Sequence, residues 1–132
     1  MSPSEEVQIY VAKAAESLAS AEDDFAAARY NCCANRVYFA CFQAAVAALF
    51  AAGIRPSDPR GEWSHEFVQS QFNGRLITRR KLYPARLRRV LRDAMELREK
   101  ADYTTSMVNE RAAKRALQEA LEFVRAIREG VI

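Results

Sequence analysis

Three short stretches of this chain combine residue types that can move protons or hold an anion. The first is Asn35-Arg36-Val37-Tyr38-Phe39, which places an asparagine and an arginine inside the most apolar helix-forming run of the sequence. A guanidinium there is costly unless a carboxylate or a helix end meets it, so Asn35 and Arg36 are candidates for a buried polar or binding contact. The second is Leu97-Arg98-Glu99-Lys100-Ala101-Asp102-Tyr103. Arg98 and Asp102 stand one helical turn apart on the same face and can pair, while across a bundle Asp102 could instead answer Arg36. The third is Trp63-Ser64-His65-Glu66-Phe67, which holds the only histidine of the chain. A functional site built on Arg98, Asp102 or His65 is one reading of these stretches. The same residues can equally form a network that fixes helix packing, with His65 as a surface or packing residue. Arg86, Arg88, Arg89 and Arg92 add a basic stripe that fits a polyanion or ordinary solvation of a helix surface.

Other chemistries find no support. There is no glycine-rich phosphate loop, no Gly-x-Ser-x-Gly and no His-Glu-x-x-His. A lone histidine gives Cys32, Cys33 and Cys41 neither a dyad nor a zinc set, so no metal and no cofactor is expected. The odd number of cysteines makes a poor disulfide framework, and all three are read as small buried thiols in a reducing cytoplasm. The start, Met-Ser-Pro-Ser-Glu-Glu, is polar and acidic, unlike a signal peptide. The run from Val37 to Ile54 includes Gln43 and ends at Arg55, which marks a core helix rather than a membrane span. A cytoplasmic protein without membrane contact is the expectation.

The elements that must position these residues are helices. The 132 residues suit one domain, 1–132, large enough to bury a core unaided. Only four glycines and four prolines interrupt an alanine-, leucine- and arginine-rich sequence, and no alternating apolar pattern suggests a strand. Ser2-Pro3-Ser4-Glu5 is a capping box opening a first helix that runs to about Ala28. The second helix, from about Tyr30 to Ala52, is apolar almost all round and must be covered on several sides, with Gly53 just past its end. Ile54–Gly61 is a loop, and a short helix over Glu62–Asn73 is expected to stop at Asn73-Gly74. Arg75–Lys81 reads as a basic connector, a fourth helix starts near Tyr83-Pro84, and Asn109 caps a fifth that Gly130 closes. The fold class is therefore all-α: an up-and-down antiparallel bundle of four long helices and one short one. Charge is uneven along it, with three basic and six acidic residues in 1–54 but eleven and five in 55–98.

Several segments together resemble the HEPN family (the higher-eukaryote and prokaryote nucleotide-binding domain), and within it the stand-alone prokaryotic branch. They are Ala34-Asn35-Arg36-Val37-Tyr38-Phe39-Ala40-Cys41-Phe42-Gln43-Ala44-Ala45, Ser64-His65-x-x-Val68-x-x-x-Phe72, Leu97-Arg98-x-x-Ala101-Asp102-Tyr103 and Glu119-Ala120-x-x-Phe123-Val124. The resemblance implies an up-and-down bundle that dimerises through its central helices. It also implies a place in toxin–antitoxin, CRISPR or other defence systems, with a minimal nucleotidyltransferase as partner. Nuclease members of the family are metal-independent endoribonucleases with an Arg-x4–6-His motif near the dimer interface. Here the slot after Arg98 holds Asp102-Tyr103 and no histidine, and Gln43 stands where relatives often carry one. Arg60 and His65 do match Arg-x4-His, but sixteen arginines make such a spacing common by chance. Some relatives also have a tyrosine near this motif that the partner enzyme nucleotidylates, a role Tyr103 could take.

Three readings follow. The first is a dimeric partner of a nucleotidyltransferase, engaging it and an RNA or nucleotide through Asn35, Arg36 and Tyr103. The second is an endoribonuclease using Arg98 with His65 or Asp102. The third is a non-catalytic RNA- or nucleotide-binding bundle that uses the basic stretch Arg75 to Arg92, with Arg86, Arg89 and Arg92 as candidate contacts.

Overall fold

A computed structural model describes residues 2–131. All regular structure among them is helical: α1 (Pro3–Ala26), α2 (Tyr30–Ala51), α3 (His65–Gln71), a π-helix (Phe72–Arg79), a 3-10 turn (Ala85–Arg89), α4 (Val90–Tyr103) and α5 (Glu110–Val131). The expected bundle of four long helices and one short one is what forms.

Local chemistry explains most boundaries. Ser2 accepts from the Glu5 amide while the Glu5 carboxylate takes the Ser2 amide, so the capping box closes α1 at its start. Ala28, at φ +59°, makes the turn into α2. Gly53, at φ +79°, leaves α2 in the left-handed conformation that lacks a steric penalty only for glycine. Ser64 caps α3 by accepting from the Phe67 amide, and Asn109 caps α5 by accepting from the Ala112 amide at 2.8 Å.

Two expectations require correction. Asn73-Gly74 does not stop the short helix. The chain stays helical to Arg79 by widening to π geometry, which also absorbs most of the basic connector predicted over Arg75–Lys81. Phe72, Leu76 and Ile77 are all buried. A turn closed from i to i+5 brings Phe72 and Ile77 onto one face, whereas an α-turn sets Ile77 to the side. Core packing thus overrides a local stop signal. Nor does Gly130 close α5, which runs through it. A Cβ at Gly130 would stand 2.8 Å from the Tyr83 hydroxyl, so glycine there makes room for a buried ring. That ring packs edge-on against Phe72 at 5.2 Å, and Phe72 in turn meets Phe123 at 5.2 Å.

α2 is the hub. It packs most extensively on α1, then on α5 and α4, and thirteen of its residues are buried, from Cys33 to Phe50. It is the one described helix long and apolar enough to cross a membrane, yet 72% of its most apolar window is buried inside the bundle. Ala40, Ala44, Ala45, Ala47 and Ala48 keep its girth small, and Leu76, Leu91, Phe72 and Phe123 from other elements are fully buried in the same core. Each such large side chain contributes about 1.5–3 kcal/mol of burial. Of the three cysteines, Cys33 and Cys41 are buried, but Cys32 is exposed, contrary to the expectation of three buried thiols.

Candidate functional site

One polar cluster forms where α4 ends against the first turns of α2. Arg98 sits at its centre, its side chain only 19% exposed. The guanidinium carbon lies 5.1 Å from the Tyr38 ring centre, 5.0 Å from Phe39 and 5.7 Å from Tyr103. Three rings thus solvate the cation through their electron-rich faces. Arg98 Nε lies 3.4 Å from Asp102 Oδ2, an ion pair along one helical turn. The N–H does not point at that oxygen, so Nε is buried without a hydrogen bond. The remaining contacts are Nη2 to the Tyr103 hydroxyl at 3.3 Å and Nη1 to Met95 Sδ at 3.9 Å.

Asn35 links the two helices. Its Nδ2 donates to Asp102 Oδ2 at 2.8 Å, and its Oδ1 accepts from Arg36 Nη2 at 2.7 Å and Nε at 3.0 Å. Arg36 therefore reaches Asp102 only through Asn35, which corrects the alternative of a direct Arg36–Asp102 pair. Arg36 also lies over Phe39, 5.0 Å from the ring centre, so two guanidiniums flank one ring. Asn35 and Arg36 are consecutive, and Tyr38 and Phe39 follow them by three residues, which brings all four toward the end of α4.

His65 joins from the start of α3. Its Nδ1 is 3.2 Å from the Tyr38 hydroxyl, and the two rings are 5.7 Å apart. Burial pushes the Tyr38 hydroxyl up to about 12, outweighing the lowering effect of nearby Arg98. Tyr38 therefore stays protonated at neutral pH and can donate to Nδ1, which places any transferable proton of a neutral His65 on Nε2. Tyr38 is the member of the cluster that sequence reasoning misses, because its spacing marks it as a packing residue. In the fold one ring touches both Arg98 and His65. Its place in the same short motif as Asn35 and Arg36 is the signal that could have found it.

The rim of the cluster is open. Tyr103 is 70% exposed and Met107 74%. Asn31 holds this rim in place, accepting from the Val108 amide at 3.0 Å while its Nδ2 meets Met107 Sδ at 3.2 Å. The remaining predicted binding residues, Arg86, Arg89 and Arg92, lie elsewhere. They line a separate groove with Gln69, Asn73, Ala85 and Arg88, and share no residue with the Arg98 cluster.

A family model described as "HEPN domain" matches residues 7–130, nearly the whole chain. The chain belongs to the HEPN family. In this HEPN domain the matched span takes in the Asn35-Arg36 turn, His65, Arg98 and Asp102 together. No curated protein matches it. The described architecture, helical throughout, agrees with that membership.

Proposed function

We propose that this HEPN domain works as a dimer in a two-protein module of the toxin–antitoxin or defence type, with a minimal nucleotidyltransferase as its partner. The supporting observation is a contrast: Arg98 is enclosed by three rings and Asp102, while Tyr103, which it touches, is exposed, as is Met107 four residues on, against Asn31 of α2. An arginine engaged in this way is a poor free phosphate contact. Exposed Tyr and Met around a fixed centre suit a surface that another protein covers. RNA or nucleotide would then be a ligand of the assembled module.

The test is co-expression with a small nucleotidyltransferase encoded beside this chain, followed by affinity purification and light scattering. A stable complex, and a dimer of the chain alone, are expected. Tyr103→Ala and Met107→Glu, both on exposed side chains, should weaken the complex about tenfold or more. A chain that stays monomeric and elutes apart from the nucleotidyltransferase rejects the reading.

A second reading, a metal-independent endoribonuclease, draws on the Tyr38 ring that touches both His65 and Arg98. It requires RNA cleavage that persists in EDTA and disappears in both His65→Ala and Arg98→Ala. Highly purified protein without cleavage counts against it.

A further inference from the structure

The groove that holds Arg86, Arg88, Arg89 and Arg92 is built differently from the Arg98 cluster. Its cavity is about 420 Å³, within the range of small-ligand sites, and no carboxylate lines it. Two carboxylates serve these four arginines from outside. Glu122 pairs with Arg86, and Asp93 lies 3.4 Å from Arg92 and 3.9 Å from Arg89. Arg88 has no acidic partner among the described residues and donates to Thr78 Oγ1 at 2.9 Å. The groove therefore carries an excess of positive charge that the fold leaves unbalanced.

Backbone geometry sets the spacing. The 3-10 turn over Ala85–Arg89 stacks Arg86 and Arg89, since three residues complete one turn and climb about 6 Å. Arg92 follows on the first turn of α4, about 4.5 Å further along the axis. Three arginines rooted at such backbone intervals along one wall of the groove suit a row of phosphates better than a single anion. The opposite wall comes from the end of α3 and the π-helix, through Gln69 and Asn73. Asn73 Oδ1 is buried with no hydrogen-bond partner, so the protein leaves that oxygen without a donor. π-turns of this kind are frequent at functional sites.

We infer that this groove is a second site, distinct from the Arg98 cluster, that binds several consecutive phosphate groups, with Gln69 and Asn73 contacting what the phosphates carry. Two sources share that chemistry: the backbone of a single RNA strand and the chain of a nucleoside triphosphate. The site stands independently of the partner proposed above.

The experiment uses the full chain and fluorescence polarisation of a labelled oligouridylate, with unlabelled ATP as competitor, across a range of salt concentrations. Arg88→Glu/Arg89→Glu should weaken binding at least about tenfold and flatten the salt dependence by about one unit of slope for each phosphate released. Arg125→Glu/Arg128→Glu, on exposed positions of α5 outside the groove, changes the net charge equally and should leave affinity within about twofold. Circular dichroism of both variants confirms that each folds. Displacement of the oligonucleotide by ATP assigns the site to a triphosphate, and binding that ATP does not disturb assigns it to a strand. Equal weakening in the two double variants, or no binding of either ligand to the parent protein, overturns the inference.

Discussion

Arg98 holds its position through contacts of unequal kind: three aromatic faces, one carboxylate and one hydroxyl. Arg98→Ala removes the stacking and leaves Asp102 with Asn35 alone, so it should cost about 2–4 kcal/mol, read as the shift in a urea unfolding curve. Arg98→Lys should recover only part, because an ammonium cannot stack on three rings as a planar guanidinium does. An unchanged midpoint in the alanine variant would show that the network adds nothing to stability. Tyr38 supplies a pH-dependent counterpart. Its hydroxyl titrates near 10 when unfolded and is pushed up to about 12 by burial. Between those values the unfolded chain releases a proton that the folded chain keeps, so the Tyr38 contribution is intact below about pH 10 and is lost as pH rises toward 12. The loss is on the order of 2 kcal/mol. Tyr38→Phe should flatten this decline; Tyr83 and Cys33, also raised by burial, keep part of it. Identical slopes in the two proteins would contradict the assignment. The Arg98–Asp102 pair is legible in the sequence because it spans a single helical turn. The Asn35 bridge and the Tyr38–His65 contact are not, since they depend on how helices cross and join residues 67 and 27 positions apart.

At the scale of elements, two glycines separate what a sequence motif says from what packing decides. Gly53 and Gly74 both read as helix stops, but only Gly53 adopts positive φ. Gly53→Ala should destabilise by about 1 kcal/mol, the cost of forcing a Cβ into the left-handed region. Gly74→Ala should stabilise by about 0.5–1 kcal/mol, because a Cβ there meets nothing within 4 Å and alanine favours helix. Thermal melts of the two variants check both signs, and a destabilised Gly74→Ala would mean that the chain needs a glycine at that turn after all. The capping box and the Asn109 cap are legible because each is encoded within a few neighbouring residues, whereas the Ser64 cap is not, since the short helix reads as beginning at Glu62. The π-helix is not, because its cause is the joint burial of Phe72, Leu76 and Ile77 against elements distant in sequence.

At the scale of the molecule, α2 is in contact with α1, α4 and α5 at once, so the bundle should lose structure around it last. Native-state hydrogen exchange should be slowest for amides between Val37 and Leu49 and faster by orders of magnitude in the connection from Ile54 to Ser64. Uniform protection across both would mean that the protein opens only as a whole. The family is legible at this scale because its motif pieces are spread along nearly the entire chain, whereas each piece alone says little. The groove lined by Arg86, Arg88, Arg89 and Arg92 is half-hidden: the arginines are visible in the sequence, but Gln69 and Asn73 reach them only through the fold.

The burial of α2 also has an order in time. Its most apolar window, with a mean hydropathy of 1.3, leaves the ribosome well before α5, the helix that forms its second largest contact. During that interval the nascent chain carries a segment with the composition of a membrane span that α1, and then α3 and α4, cover only in part. Shelter from non-specific association is thus complete only once α5 is made. A stalled or shortened translation product would present to the cell the surface that the finished protein hides.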